Sequence, residues 1–514
     1  MGVEVERGEL LFGAATDPGH VCELLSSGYR VRAEAPTSAR WICLDTADWR
    51  LHKAGMTLRD ARRGRRSGTL ILSDGASRSI MAPSASPRWP AKKDAIPCSP
   101  LRDRVAPAIG VRALLPLAEV DVRSLTLRLV DGEEKTRVRV HVDQQRLTGD
   151  RCVPLPLRVR VSPLRGYERD GQRCEGLLTD AMGRLDDGSD AVAAVFEAAG
   201  HTPGQLSVPR LELNPIAPAV ESLADVLRYW LDVVDAVRPG ALADIDIEYL
   251  HDMRAAIRAA RSLVRLGSDL IPEPRATRLI DDLTWLGRLT APLRDLDVYM
   301  LEIAGEGHTD ITGLGGLESA YRLLTAKRRR ALITLRAGLK SSRGLSISAA
   351  LRDSVSQLAV VPATAPATRE TAGTLAHTAY RRIVKQARAI TSQTDTDELH
   401  RLRRRCKEMR YLLDSFSSVY APEPRRTVLT ALKRLQDCLG EIQDVDVQHR
   451  HTIDLISALS RSEAPPETLL ALGALHDRNM QRAVAARRLM DRRLMRFCGA
   501  RTRRHVLALQ AGPL

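Results

Sequence analysis

Hydrophobic and polar residues follow one rhythm through the first two hundred positions and another afterwards. VRSLTLRLV (122–130), TRVRVHVD (136–143) and LPLRVRVS (155–162) alternate branched or large apolar residues with polar ones, which predicts half-buried strands. DGEE (131–134) supplies a turn between the first two, and the Pro- and Ser-rich stretch 82–100 reads as a loop. From about residue 219 the apolar spacing lengthens to three and four, in SLADVLRYWLDVVDAV, LIDDLTWLGRL and LESAYRLLTAKRRRALITL. This predicts a strand-rich antiparallel domain over 1–207, a linker over 208–218 rich in proline, and an all-α domain over 219–510.

The helical part repeats itself. An offset of 149 residues carries His251 to His400, Arg254 to Arg403, Arg258 to Lys407 and Arg261 to Arg410. The same offset carries Leu250, Leu263, Leu283 and Leu286 onto Leu399, Leu412, Leu432 and Leu435, and Asp295, Asp297 and Val298 onto Asp444, Asp446 and Val447. Apolar and basic positions held in one register predict two copies of a single helical unit, at about 219–345 and 370–510.

Within each copy, four basic or histidine positions sit at intervals of three, four and three. At roughly 100° per residue they fall within an arc of about 80° and span about 15 Å of helix. His251, Arg254, Arg258 and Arg261 form one row; His400, Arg403, Lys407 and Arg410 form the other. A surface helix usually mixes signs along a face, because like charges three and four apart repel. Two cationic rows with few interleaved carboxylates therefore point to an anion held between them. Arginine supplies planar forks suited to phosphate, lysine a compact charge, and histidine a donor that titrates near neutrality. Neither histidine has a Ser, Cys or acid neighbour that suggests a nucleophile or base, so binding is favoured over catalysis and no catalytic residue is assigned. Asp295, Asp297, Asp444 and Asp446 are candidate ion-pair partners that orient row arginines. Residues two apart on a helix point in nearly opposite directions, which disfavours a joint metal site.

Composition sharpens this only in part. The formal charge of +15 favours anionic partners, and most of the excess falls after residue 210. Aromatics at 4% leave little for stacking single-stranded nucleic acid. The eight cysteines form no CxxC pair, and no leader-like or membrane-length apolar run is present, so the expectation is a cytoplasmic protein without a membrane partner.

LHDMRAAIRAAR (250–261) with LTAPLRDLDV (289–298), and LHRLRRRCKEMRYLLD (399–414) with LQDCLGEIQDVDV (435–447), resemble the CHAD family, the conserved histidine α-helical domain. The resemblance implies paired four-helix halves around a basic groove that binds inorganic polyphosphate, with that role falling on the eight row residues and a location at polyphosphate granules. Ala259 departs from it, where the family's first copy often carries another arginine. VEVERGELLF (3–12), CLDTADWRLHKAGMTLRDARR (43–63) and PLRGYERD (163–170) are similar to the CYTH family of triphosphate tunnel metalloenzymes. That implies an antiparallel β-barrel whose glutamates hold a divalent metal on a triphosphate. Glu4 and Glu6 stand at its opening acidic positions and Arg59 at a basic one, but Gly8 replaces the expected lysine. Arg158 and Arg160 occupy the strand where alternating glutamates are expected, and cations cannot ligate a cation. The expected fold class is therefore α+β: a degenerate CYTH-like barrel followed by a duplicated CHAD helical domain.

Three functions compete. The first is non-catalytic binding of inorganic polyphosphate, with no cofactor. The second is metal-dependent triphosphate hydrolysis in the barrel, which alone requires Mg²⁺. The third is nucleic-acid binding, supported by the charge and opposed by the sparse aromatics.

Overall fold

The computed structural model describes residues 9–14, 16–62, 68–74, 79–84, 88–148, 152–182, 191–205, 208, 211–308, 317–359, 366–391, 393–461 and 465–511. The chain divides into two units, Met1–Pro209 and Arg210–Leu514.

The first unit contains strands β1 (Glu9–Phe12), β2 (Arg30–Ala33), β3 (Thr37–Asp45), β4 (Met56–Arg62), β5 (Gly68–Asp74), β6 (Ser79–Ser84), β7 (Leu115–Val130), β8 (Thr136–Leu147) and β9 (Leu157–Pro163). Its helices are α1 (Pro18–Gly28), α2 (Arg50–Lys53), α3 (Pro100–Ile109), α4 (Glu168–Met182) and α5 (Ala191–Ala198). The strands form one antiparallel sheet in the order β1-β9-β8-β7-β3-β4-β5-β6, with β2 added on β7. Turn residue Glu134 lies in the left-handed region at φ 62°, and the turn closes through Asp131 N–H to Lys135 O. Helix α3 starts where the 82–100 stretch ends, with Ser99 as its N-cap.

The sheet is open rather than a closed barrel. Its end strands β1 and β6 share no ladder among the described residues. One side of the sheet is buried in two separate apolar clusters. Val138, Val140, Val142, Val159 and Val161 pack under Val21 and Leu25 of α1 and Cys174 and Leu178 of α4. Ile42, Leu44, Leu58, Leu70 and Leu72 pack under Leu51 of α2 and Leu101, Val105 and Ile109 of α3. By strand alternation the opposite side carries Trp41, Cys43, Val120 and Val122, covered by Val195 and Phe196 of α5, and then Arg59, Arg158 and Arg160.

The second unit contains α6 (Ala219–Ala243), α7 (Ile247–Leu266), α8 (Glu273–His308), α9 (Glu318–Lys340), α10 (Ser342–Ser356), α11 (Thr368–Ala387), α12 (Thr396–Ser415), α13 (Pro422–Ser460), α14 (Pro466–Cys498) and α15 (Ala500–Ala511). The 149-residue offset holds in three dimensions. It carries the first residues of α6, α7 and α8 onto those of α11, α12 and α13, and both ends of α7 onto both ends of α12. The repeats meet in a shared core built from Leu296, Tyr299 and Ile303 of α8, Leu324 of α9, Leu455 and Leu459 of α13, and Leu472 and Leu475 of α14. Residues 211–218 are tied into this unit: Leu213 N–H donates to Ser418 Oγ at 3.0 Å, and Thr368 N–H to Ala217 O at 2.9 Å.

Candidate functional site

Helix α7 begins where Asp246, itself buried, accepts hydrogen bonds from Glu248 N–H and Tyr249 N–H, satisfying two orphan donors of the first turn. Met253, Ala256, Ile257, Ala260, Leu263 and Val264 are buried, and on the whole helix only Arg265 is exposed. This is not a solvated surface helix. Its small residues let other backbones approach closely, and it packs directly against α12. All eight row residues are half-buried, neither in the core nor free in solvent.

The rows meet. Arg258 Nε donates to the Tyr411 hydroxyl of α12 at 3.3 Å, and Arg258 acts electrostatically on both Arg403 and Lys407. Arg254 Nη1 donates to Gly287 O and Thr290 Oγ1, each at 3.3 Å, and its Nη2 lies 3.9 Å from Asp295. Its repeat partner Arg403 donates to Gln443 Oε1 at 2.7 Å and lies 3.6 Å from Asp444. The Nε–H groups of Arg254 and Arg403 and His400 Nε2 are buried without a hydrogen-bond partner. Arg294 Nη2 donates to His251 Nδ1 at 3.0 Å. An arginine cannot accept, so Nδ1 is the bare nitrogen and the His251 proton sits on Nε2. The Arg410 guanidinium lies 5.4 Å from the Tyr411 ring centre.

Crowding of like charge at partial burial shows in the acidities. Burial first, then Arg258, pushes Arg254 down to about 10. Burial, Arg403 and Arg258 push Lys407 down to about 7, against an opposing pull from Asp444. Arg261, Arg294 and Arg403 are lowered in the same sense, each chiefly by burial. Removing cations from water without enough counter-charge costs free energy, and a bound anion reverses that cost.

The aspartates divide their roles. Asp295 and Asp444 face row arginines, as above. Asp297 instead accepts from Arg328 Nε of α9 at 2.7 Å, in a buried group with Asp244, and Asp446 pairs with Arg450 on its own helix at 3.1 Å. Sequence reasoning missed Arg294, Gln443 and Tyr411. The offset does pair Arg294 with Gln443, but the change of residue type hides the equivalence, and Tyr411 has only Ser262 as its counterpart.

In the first unit, Arg59 and Arg158 both lie over the Trp41 ring, at 4.4 and 5.9 Å from its centre. Arg158 pairs in register with Asp143, and Arg160 with His141. Glu4 and Glu6 lie outside the described residues. Among the described residues no group of three or more His, Cys, Asp or Glu side chains is placed to hold a metal ion. No helix among them is long and apolar enough to cross a membrane.

A duplicated helical domain with two cationic rows on packed helices thus defines the second unit. Residues 225–452 match the family described as CHAD domain, so this unit carries a CHAD domain. An uncharacterized protein of Mycobacterium tuberculosis (strain CDC 1551 / Oshkosh) is 26% identical over 345 residues, which cover 64% of this chain and 63% of that protein. The chain thus spans less than two thirds of the length of this curated relative. The CHAD domain from the plant Ricinus communis is similar at 22% identity and a TM-score of 0.48, covering 60% of this chain and 99% of that one. PptA from Streptomyces chartreusis is similar at 20% identity and a TM-score of 0.43, covering 54% and 99%.

Proposed function

We propose that the second unit binds inorganic polyphosphate in the seam between α7 and α12 and does not turn it over. One observation carries the reading: eight half-buried cations or histidines, in two rows related by the repeat, meet across packed helices with too few carboxylates to neutralise them. Unpartnered Nε–H donors on Arg254 and Arg403 add groups suited to phosphate oxygens. Arg294 makes a further cation of the same site. Binding is favoured over chemistry, because His251 Nδ1 is engaged by Arg294 and no Ser or Cys lies on the rows. A linear chain of phosphates fits a narrow cationic seam better than a nucleic acid, which needs stacking surfaces. The Tyr411 hydroxyl in the seam is already bonded to Arg258.

The test is a calorimetric titration of the full chain with linear polyphosphate over a range of salt concentrations. Affinity should fall steeply with salt, because each phosphate contact displaces counterions. Salt-independent binding, or none, would remove the seam from consideration.

A further inference from the structure

The α7 row does not end at Arg261. Arg265 lies one turn further on the same face and is exposed at the end of the helix. Across from it, Arg404 and Arg405 of α12 and Arg382 of α11 gather around the carboxylate of Glu408. All four arginines act electrostatically on Glu408, and Glu408 and Arg404 act on Arg261. Arg405 Nη1 is tethered to Arg382 O at 3.1 Å, joining α12 to α11 there. Arg265, Arg382 and Arg404 are exposed and form no ion pair among the described residues. Nothing of the kind exists at the equivalent place in the first copy. There the offset puts Val233, Ala255, Ala256 and Ala259 opposite Arg382, Arg404, Arg405 and Glu408, and Asp414 opposite Arg265. At those five equivalent positions no basic residue stands, so this basic extension is not repeated by the offset.

We propose that the polyanion track runs out of the seam over Arg265, Arg404, Arg405 and Arg382, and that this mouth makes the site select long linear polyphosphate over short oligophosphates. The proposal rests on the seam being the polyphosphate site. A short oligophosphate fills the seam alone and gains nothing from the mouth. A long chain must leave the seam, and this exit returns it to solvent along exposed guanidinium groups. Glu408 opposes it there, as a negative group on which all four arginines act.

Wild-type full chain, Arg265→Ala/Arg404→Ala, Glu408→Gln and a control, Arg501→Ala/Arg504→Ala, are each titrated with tripolyphosphate and with size-fractionated long-chain polyphosphate. The control removes two exposed arginines of α15. The mouth variant should lose roughly tenfold in long-chain affinity, the sum of two exposed contacts, with tripolyphosphate binding unchanged. Glu408→Gln should strengthen long-chain binding, and the control should leave both ligands unchanged. Equal losses for both ligands, equal losses in the control, or no loss in the mouth variant would each overturn the mouth. If wild type bound neither phosphate, the seam itself would fail, an outcome visible before any variant is compared. Long-chain binding abolished by competing duplex DNA at equal phosphate would assign the track to nucleic acid instead.

Discussion

Lys407 is the residue at which the site's chemistry is most exposed to measurement. Burial first, then Arg403 and Arg410 on its own helix and Arg258 from α7, against Asp444 from α13, push its ammonium down to about 7. A bound polyanion favours the charged form, so the bound lysine titrates higher than the free one. The gain in affinity is then fully present below about 7 and fades as pH rises through the window between the free and bound values. The loss should approach that of one charge-assisted hydrogen bond, about 1.5–3 kcal/mol, or roughly tenfold or more in affinity. Lys407→Arg should flatten the profile above neutrality, because a guanidinium stays charged. Polyphosphate titrations across that range in both proteins check this, and a profile unchanged in the arginine variant would assign the titration elsewhere. At this scale the rows themselves were legible, because three-and-four spacing repeated at a fixed offset fixes both a face and its counterpart. Arg294 and Tyr411 were not legible, because they reach the seam through tertiary packing that no local spacing encodes.

At the scale of elements, the proposed site is a clamp with one row on each side, and its two sides should not act independently. Arg254→Ala/Arg258→Ala should weaken polyphosphate binding severely, as should Arg403→Ala/Lys407→Ala. Joining all four should cost less than the sum, since either pair already opens the clamp. Additive, small losses in a calorimetric comparison would mean two separate surface rows. The helices that hold the clamp have little room. Gly240 of α6 lies against the Tyr249 ring of α7, and a Cβ there would collide with it. Gly240→Ala should therefore destabilise the unit by about 1–3 kcal/mol, read as a lower midpoint in thermal or urea unfolding. The equivalence of α7 with α12 was readable from the repeat, because apolar register and basic register moved together. Barrel closure in the other unit was not readable. Alternation tells which side chains share a face, whereas closure depends on whether β1 and β6 meet, a long-range pairing that β1, with four residues on β9, does not make among the described residues.

Taken as a whole, the chain carries an arginine-lined sheet followed by a helical unit with two cationic rows, and the sheet should be silent as a hydrolase. Arg158 is 7% exposed and shares a side of the sheet with Arg59 and Arg160, where a bound divalent cation would meet fixed positive charge. Full-length protein should release no phosphate from tripolyphosphate with Mg²⁺ or Mn²⁺. Turnover above a blank, lost in Glu4→Gln/Glu6→Gln, would show that acidic groups outside the described residues suffice.

The equivalence of α7 and α12 has a further consequence. Arg258 and Lys407, the same position in the two copies, interact across the seam, so a ligand bound as proposed would be gripped by two versions of one pattern. Such a grip suits a ligand that reads the same in either direction. A linear polyphosphate has no sense of direction, since each unit and each terminus is chemically identical to its mirror counterpart along the chain. A nucleic acid strand has a 5′ and a 3′ sense and would present a different face to each half.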